Sequence, residues 1–322
     1  MRPMTQSLGG FRAALLVGWI ALGAAGMWFA RDKGIPNWAA LPVLAAFLVE
    51  YPFYLVAGFP ALRERLDRAR LPLFLTASAL APYLVSCWGT GQFQAGAAVR
   101  LAALALALGL WYVVLPAAPA VDIAFLALVA AVLLGKYFDR IYRSPYPGVE
   151  IGILGHLALI QIAVLVLLVE RRVPGTGFGF IPGRRDWITG FLHYLYFVAI
   201  GFPLGLGLHV MRFGPAPPAW KLVATFLGIL WVVALSEEFF FRGVLQAWME
   251  EWTGRRQVAL AATSLAFGAV HLPFRGFPNW RFALLAAIAG WFYGRARNQA
   301  GSIRASMVAH ALVVTTWRAL FV

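Results

Sequence analysis

The sequence predicts an all-α fold, a polytopic bundle of transmembrane helices, and three observations predict it. Of 322 residues, 61% are hydrophobic and only 12% charged, against roughly 25% charged in a soluble domain. Mean hydropathy is +0.76. The apolar residues also gather in long runs broken by charged or Pro/Gly-rich stretches, not in the short alternating segments of barrel strands.

Taken in order, runs of spanning length lie near 11–30, 38–59, 71–89, 98–116, 118–136, 151–169, 187–211, 219–248, 256–272, 280–296 and 302–321, about eleven spans. The first follows Arg2 and Arg12 as a secretory leader would, but it is long enough to span and a second run comes soon after. It is therefore read as an uncleaved helix. The fourth and fifth are parted only by Pro116–Pro119, and the eighth exceeds what a bilayer needs. Between the sixth and seventh lies Val173–Asp186, VPGTGFGFIPGRRD, whose glycines and prolines cannot continue a helix. That break divides the chain into an N-terminal bundle of about six helices (1–173) and a C-terminal bundle of about five (174–322). The first bundle offers no recognisable chemistry, and no internal repeat is visible.

Formal net charge is +14. The Lys and Arg residues are scattered between apolar runs, so anionic lipid headgroups and a positive-inside bias explain them better than nucleic acid. Placing the N-terminus in the cytoplasm puts most of the 27 Lys and Arg inside, including Arg2, Arg12, Arg63–Arg70, Arg255, Arg256 and Arg295–Arg304. Cys87 is the only cysteine, which excludes an internal disulfide or a thiolate cluster and leaves a small buried residue. Trp220, Trp248, Trp252 and Trp280 sit near predicted helix ends, as an interfacial belt would. GWFYG (Gly290–Gly294) has the spacing that lets helices approach closely within the bundle.

The stretch richest in chemistry is Ser236–Met249, SEEFFFRGVLQAWM. Ionisable groups at membrane depth are costly and usually functional. Glu238 and Arg242 are i,i+4 neighbours with the acid N-terminal, the better order for a helical ion pair. Glu237 is turned about 100° from Glu238, which frees it to face water or a substrate. Two histidines follow in later runs, His271 after Phe267 and His310 inside SMVAHALVV. Each alone is more often a packing residue, and His156, His193 and His209 are read that way. Glu50 is expected to snorkel or pair near a helix end. Together, two carboxylates, an arginine and two histidines are the parts needed to activate water and stabilise an oxyanion.

EEFFFR (Glu237–Arg242) resembles the EExxxR motif of the CPBP family of intramembrane proteases, relatives of the Rce1-type CAAX prenyl endopeptidase and of bacteriocin-processing proteins. FGAVH (Phe267–His271) is similar to that family's FxxxH, and HALVV (His310–Val314) falls where HxxxN is expected. The resemblance implies an intramembrane endopeptidase core over 174–322. Glu237 would be the water-activating base and Glu238 its partner, paired with Arg242. His271 would bind the water or oxyanion, His310 would support the tetrahedral intermediate, and Phe267 would contact substrate. The family's Asn is Val314 here, which donates no hydrogen bond; losing such a donor costs roughly 10²–10³ in rate. Thr315 and Thr316 point to other helix faces.

No cofactor is expected. Zinc is the minor alternative, since two histidines and a glutamate could hold it, but the sequence lacks HExxH and the arginine would repel a cation. The implied partners are membrane lipids and a membrane-associated or secreted peptide or protein, in a bacterial inner membrane. A prenylated tail is the family's best-known substrate, and nothing in the sequence encodes prenyl recognition. The competing class is a non-catalytic transporter or scaffold in which the acids and Arg242 are structural. Simple counting from Trp220 puts Glu237 about 26 Å along its helix, whereas His310 is about 12 Å from Ser302. A shared site therefore expects the eighth helix to slide, with its membrane part nearer 225–249.

Overall fold

The computed structural model describes residues 8–321; Arg2, counted in the charge argument, lies outside the described residues. Regular structure among them is helical apart from one isolated bridge, Phe213–Phe321. The chain divides into two compact units between Arg172 and Val173.

The first unit contains α1 (Leu8–Asp32), α2 (Asn37–Val56), α3 (Leu71–Thr90), α4 (Ala95–Gly109), α5 (Pro119–Leu134) and α6 (Ile153–Glu170). The strongly apolar α6 is buried without a break from Ala158 to Leu167, with Gln161 the one polar residue of that stretch, so it is the unit's central helix, as near all-round hydrophobicity requires. By contrast α1 exposes Leu16, Val17 and Ile20, an apolar face suited to lipid. Cys87 is buried and free. Glu50 neither snorkels nor pairs. It lies inside α2, is 1% exposed, and neither carboxyl oxygen has a hydrogen-bond partner among the described residues. Proximity of glutamate to a helix end in sequence says nothing about which face the fold encloses.

The second unit contains α7 (Arg184–Gly207), α8 (Ala219–Thr253), α9 (Arg256–Ala269), α10 (Trp280–Ala300) and α11 (Ile303–Leu320). Sequence chemistry sets the ends. Asp186 accepts from the Gly183 N–H at the start of α7, and the Asn279 and Ser302 side chains cap α10 and α11. Gly254 and Gly301 close α8 and α10 with left-handed backbone, φ 63° and 72°. Central in this unit is α11, packed against α7, α8 and α10, over a core that includes Phe197, Phe202, Phe267, Leu285, Tyr293 and Ala309. Residues 173–183 run along α8 and the start of α11: the Trp231 indole donates to the Phe180 carbonyl, and Ser302 Oγ to Gly177.

Each apolar run of the sequence contains a helix, but the count of about eleven spans is not confirmed. Six helices, α1, α2, α3, α6, α7 and α8, are long and apolar enough to cross a membrane. At 15 and 16 residues, α4 and α5 are apolar but short, and α9 has 14. Arginines at 281, 295 and 297 dilute α10, and Arg304, His310 and Arg318 dilute α11. These helices make the chain an integral membrane protein. Trp248 departs from the interfacial belt, being 1% exposed and stacked on Trp252.

Candidate active site

The eighth helix carries the acids on an unusual backbone. A single α turn, Leu235–Glu238, is bracketed by π-helical segments at Ile229–Ala234 and Phe239–Leu245. Wide i→i+5 turns are rare and occur often at functional sites. Their i→i+5 hydrogen bonds change the phase between residues on either side. Equal α turns, assumed in the sequence-based depth argument, therefore misplace side chains along α8. The helix runs unbroken for 35 residues and brings Glu237 to α11 without a break.

Glu238 is fully buried, and its Oε1 accepts from Arg242 Nη1 at 3.0 Å and from His310 Nδ1 at 2.8 Å. A carboxylate only accepts, so Nδ1 carries the proton and Nε2 is fixed on the opposite edge of the ring. That edge faces the other acid: His310 Nε2 lies 3.9 Å from Glu237 Oε2. The gap is too long for a direct hydrogen bond and short enough for one water to donate to both. Of the two acids, only Glu237 reaches the surface, with its side chain 32% exposed against 0% for Glu238. Adjacent residues thus take separate roles, one clamped and one open.

Arg242 is fully buried and held from several sides. Nη2 donates to the Gly290 carbonyl at 3.1 Å. The guanidinium lies 4.2 Å from the Phe267 ring centroid and 5.4 Å from that of Tyr293, within cation–π range. Gly290 is needed for this approach, since a Cβ there would stand 2.8 Å from Nη2. The GWFYG spacing therefore admits a side chain of α8, packing within the bundle. Tyr293 also stacks on the His310 ring, centroids 4.7 Å apart at 14°, and locks its orientation.

The structure brings Glu237, Glu238, Arg242 and His310 together. His271 joins less directly. It lies just past the end of α9, half-buried, with Nδ1 2.7 Å from the Phe267 carbonyl. Its ring packs on Phe267, which in turn meets His310 edge-on at 5.9 Å. No hydrogen bond or ion pair among the described residues links His271 to either acid. Phe267 is 2% exposed and holds the site together from inside; the substrate contact expected of it requires the surrounding groups to move. Gly268 is a close approach of α9 to α10, where a Cβ would meet the Ala283 carbonyl at 2.6 Å. Val314, one turn after His310, contributes no polar atom. Thr316 bonds the Tyr194 hydroxyl at 3.0 Å, while the buried Thr315 hydroxyl has no partner among the described residues.

Tyr293, Gly290 and Tyr194 escaped the sequence reading. Only the GxxxG spacing hinted at the second, and nothing local marked the others. His310 Nδ1 and Glu238 Oε1 are bonded to each other, Arg242 stands against the same oxygen, and no group of three His, Cys, Asp or Glu among the described residues is placed to hold a metal.

No curated protein and no solved structure matches the chain significantly. The model for type II CAAX prenyl endopeptidase Rce1-like proteins matches residues 219–316, narrower than the 174–322 expected and less than a third of the chain. That stretch holds α8, α9, α10 and most of α11, hence the acids, Arg242, His271 and His310, so the chain carries an Rce1-like domain of the CPBP intramembrane protease type.

Proposed function

We propose that the chain is a membrane-embedded endopeptidase in which Glu237 activates water to hydrolyse a peptide bond of a membrane-associated or secreted substrate. The observation that carries this reading is the 3.9 Å gap between Glu237 Oε2 and His310 Nε2, beside a Glu238 already committed to Arg242. Glu237 takes a proton from a water bound across that gap. The hydroxide adds to the scissile carbonyl carbon, and the same carboxyl returns the proton to the leaving amine. Glu238 fixes the tautomer and direction of His310 as a buried acid orients a catalytic histidine. His271, at the rim, supports the water or the oxyanion. With every apolar run counted as a crossing, the basic turns after α8 and α10 fall inside, which supports a cytoplasmic N-terminus, and an Ala-, Leu-, Arg- and Trp-rich composition supports a bacterial inner membrane.

The test compares membrane and secreted proteomes of wild type and Glu237→Gln. Uncleaved precursors are expected to accumulate in the variant, at unchanged protein level. Identical proteomes, with Glu237→Gln losing stability instead, would overturn the proposal in favour of a structural role. One observation favours that second reading: apolar Val314 where the family has a donor. Val314→Asn separates the two. A protease short of one oxyanion donor gains up to roughly 10²-fold in rate, and a scaffold gains nothing.

A further inference from the structure

A second polar site lies in the same unit and shares no lining residue with the acids' cluster. A cavity of about 410 Å³ is lined by His193, Arg256, Trp291, Arg295, Asn298 and Gln299, among others. It lies between α7, the start of α9 and the C-terminal half of α10. This end of the unit is laced with arginine: Arg256 donates to the Asn298 carbonyl, Arg185 to that of Gln299, and Arg304 pairs with Asp186. The nearest acid, Glu250, is 3.9 Å from Arg256 but is held by Arg297 at 3.2 Å. Arg295 is exposed and forms no ion pair among the described residues. Two guanidiniums therefore face a cavity that supplies no free carboxylate to match them.

The floor is more specific. His193 is 2% exposed, and its Nδ1 lies 2.9 Å from the Thr189 carbonyl. A carbonyl only accepts, so Nδ1 holds the proton, and Nε2 of the neutral ring is an acceptor with no partner among the described residues. The lining of the cavity thus offers two guanidiniums, an imidazole acceptor, amide groups and an indole. The N-terminus of α9, a 14-residue helix, adds its dipole at Arg256.

We propose that this cavity binds a phosphate ester carrying a free hydroxyl, the chemistry of a glycerol-phosphate lipid headgroup. The phosphate sits between Arg256 and Arg295, where guanidinium geometry suits its oxygens, and the hydroxyl donates to His193 Nε2. A site of this kind at the end of a membrane bundle lies where anionic headgroups concentrate. Its occupancy is independent of the chemistry at Glu237.

Native mass spectrometry of the delipidated full-length protein tests this. Phosphatidylglycerol, phosphatidylcholine and soluble glycerol 3-phosphate are titrated separately. Phosphatidylglycerol is expected to bind with phosphatidylcholine well behind, and Arg295→Gln to weaken it roughly tenfold, the loss of one charged hydrogen-bonding partner. Arg295 is exposed, so this variant keeps its fold, which its unfolding temperature verifies. Binding of the lipid alone assigns the site to the bilayer, and equal binding of glycerol 3-phosphate assigns it to a free ester. Equal affinity for phosphatidylcholine, or unchanged affinity in Arg295→Gln, overturns the proposal.

Discussion

Each unit holds an arginine–carboxylate pair whose carboxylate is fully buried, and the two differ in how completely they are satisfied. In the first, Asp122 accepts from Arg171 Nε at 2.9 Å and Nη2 at 2.8 Å, and from the Tyr112 hydroxyl at 2.8 Å. Both oxygens are used and the carboxylate is fully buried. In the second, Glu238 Oε2, Arg242 Nε and Glu237 Oε2 lack hydrogen-bond partners among the described residues. Buried polar atoms are usually paired, and unpaired ones call for a reason. The first arrangement ties helices together; the second holds capacity in reserve for a reacting molecule. A buried ion pair alone is weak evidence of either role. The unspent valence is what distinguishes them.

Variants can break that contrast or sharpen it. The largest effect is expected at Glu237→Gln: cleavage of a substrate found by proteomics should fall about 10³-fold, within the usual range for a lost general base. Its unfolding temperature should hardly move. A Glu237→Gln protein that unfolds early while cleaving normally would make the two pairs alike.

Asp122→Ala should do the reverse. Removing the carboxylate from beside Arg171 is expected to cost about 3–5 kcal/mol, read by denaturant titration in detergent, with little change in turnover of the protein that remains folded. Retained stability would show that the closed pair ties nothing together.

Gly290→Ala tests whether the open site depends on its seating. The added methyl forces Arg242 off the carbonyl, costing about 1–3 kcal/mol for overpacking and a larger share of activity, measured as a fall in kcat at unchanged KM. The smallest effect is expected for Tyr194→Phe, which removes the hydroxyl bonded to Thr316 at about 1 kcal/mol. A loss of cleavage there beyond that of stability would point to Tyr194 as the donor that Val314 fails to provide.

What was legible in the sequence was local. The apolar runs gave the helices, and i,i+4 spacing gave the Glu238–Arg242 pair, because both are fixed by short separations. The 310 histidine was nominated by its motif, but its bond to Glu238 spans 72 positions. The Asp122–Arg171 pair spans 49, and no periodicity encodes such a meeting. Trp248 and Glu50 were misplaced for the same reason: their settings depend on neighbours from other helices. The count of about eleven spans is not confirmed: charge dilutes α10 and α11 while α4, α5 and α9 are short, and helix and membrane crossing are separate properties.

The α turn of Leu235–Glu238 sits between two slack coils, each holding one residue more per loop than ordinary winding would. Removing a single residue from either coil would let that coil relax into ordinary α pitch and swing the acids around the axis relative to the residues beyond it. The family's six-letter signature therefore does not suffice by itself: its aim is stored in the phase of the backbone on either side.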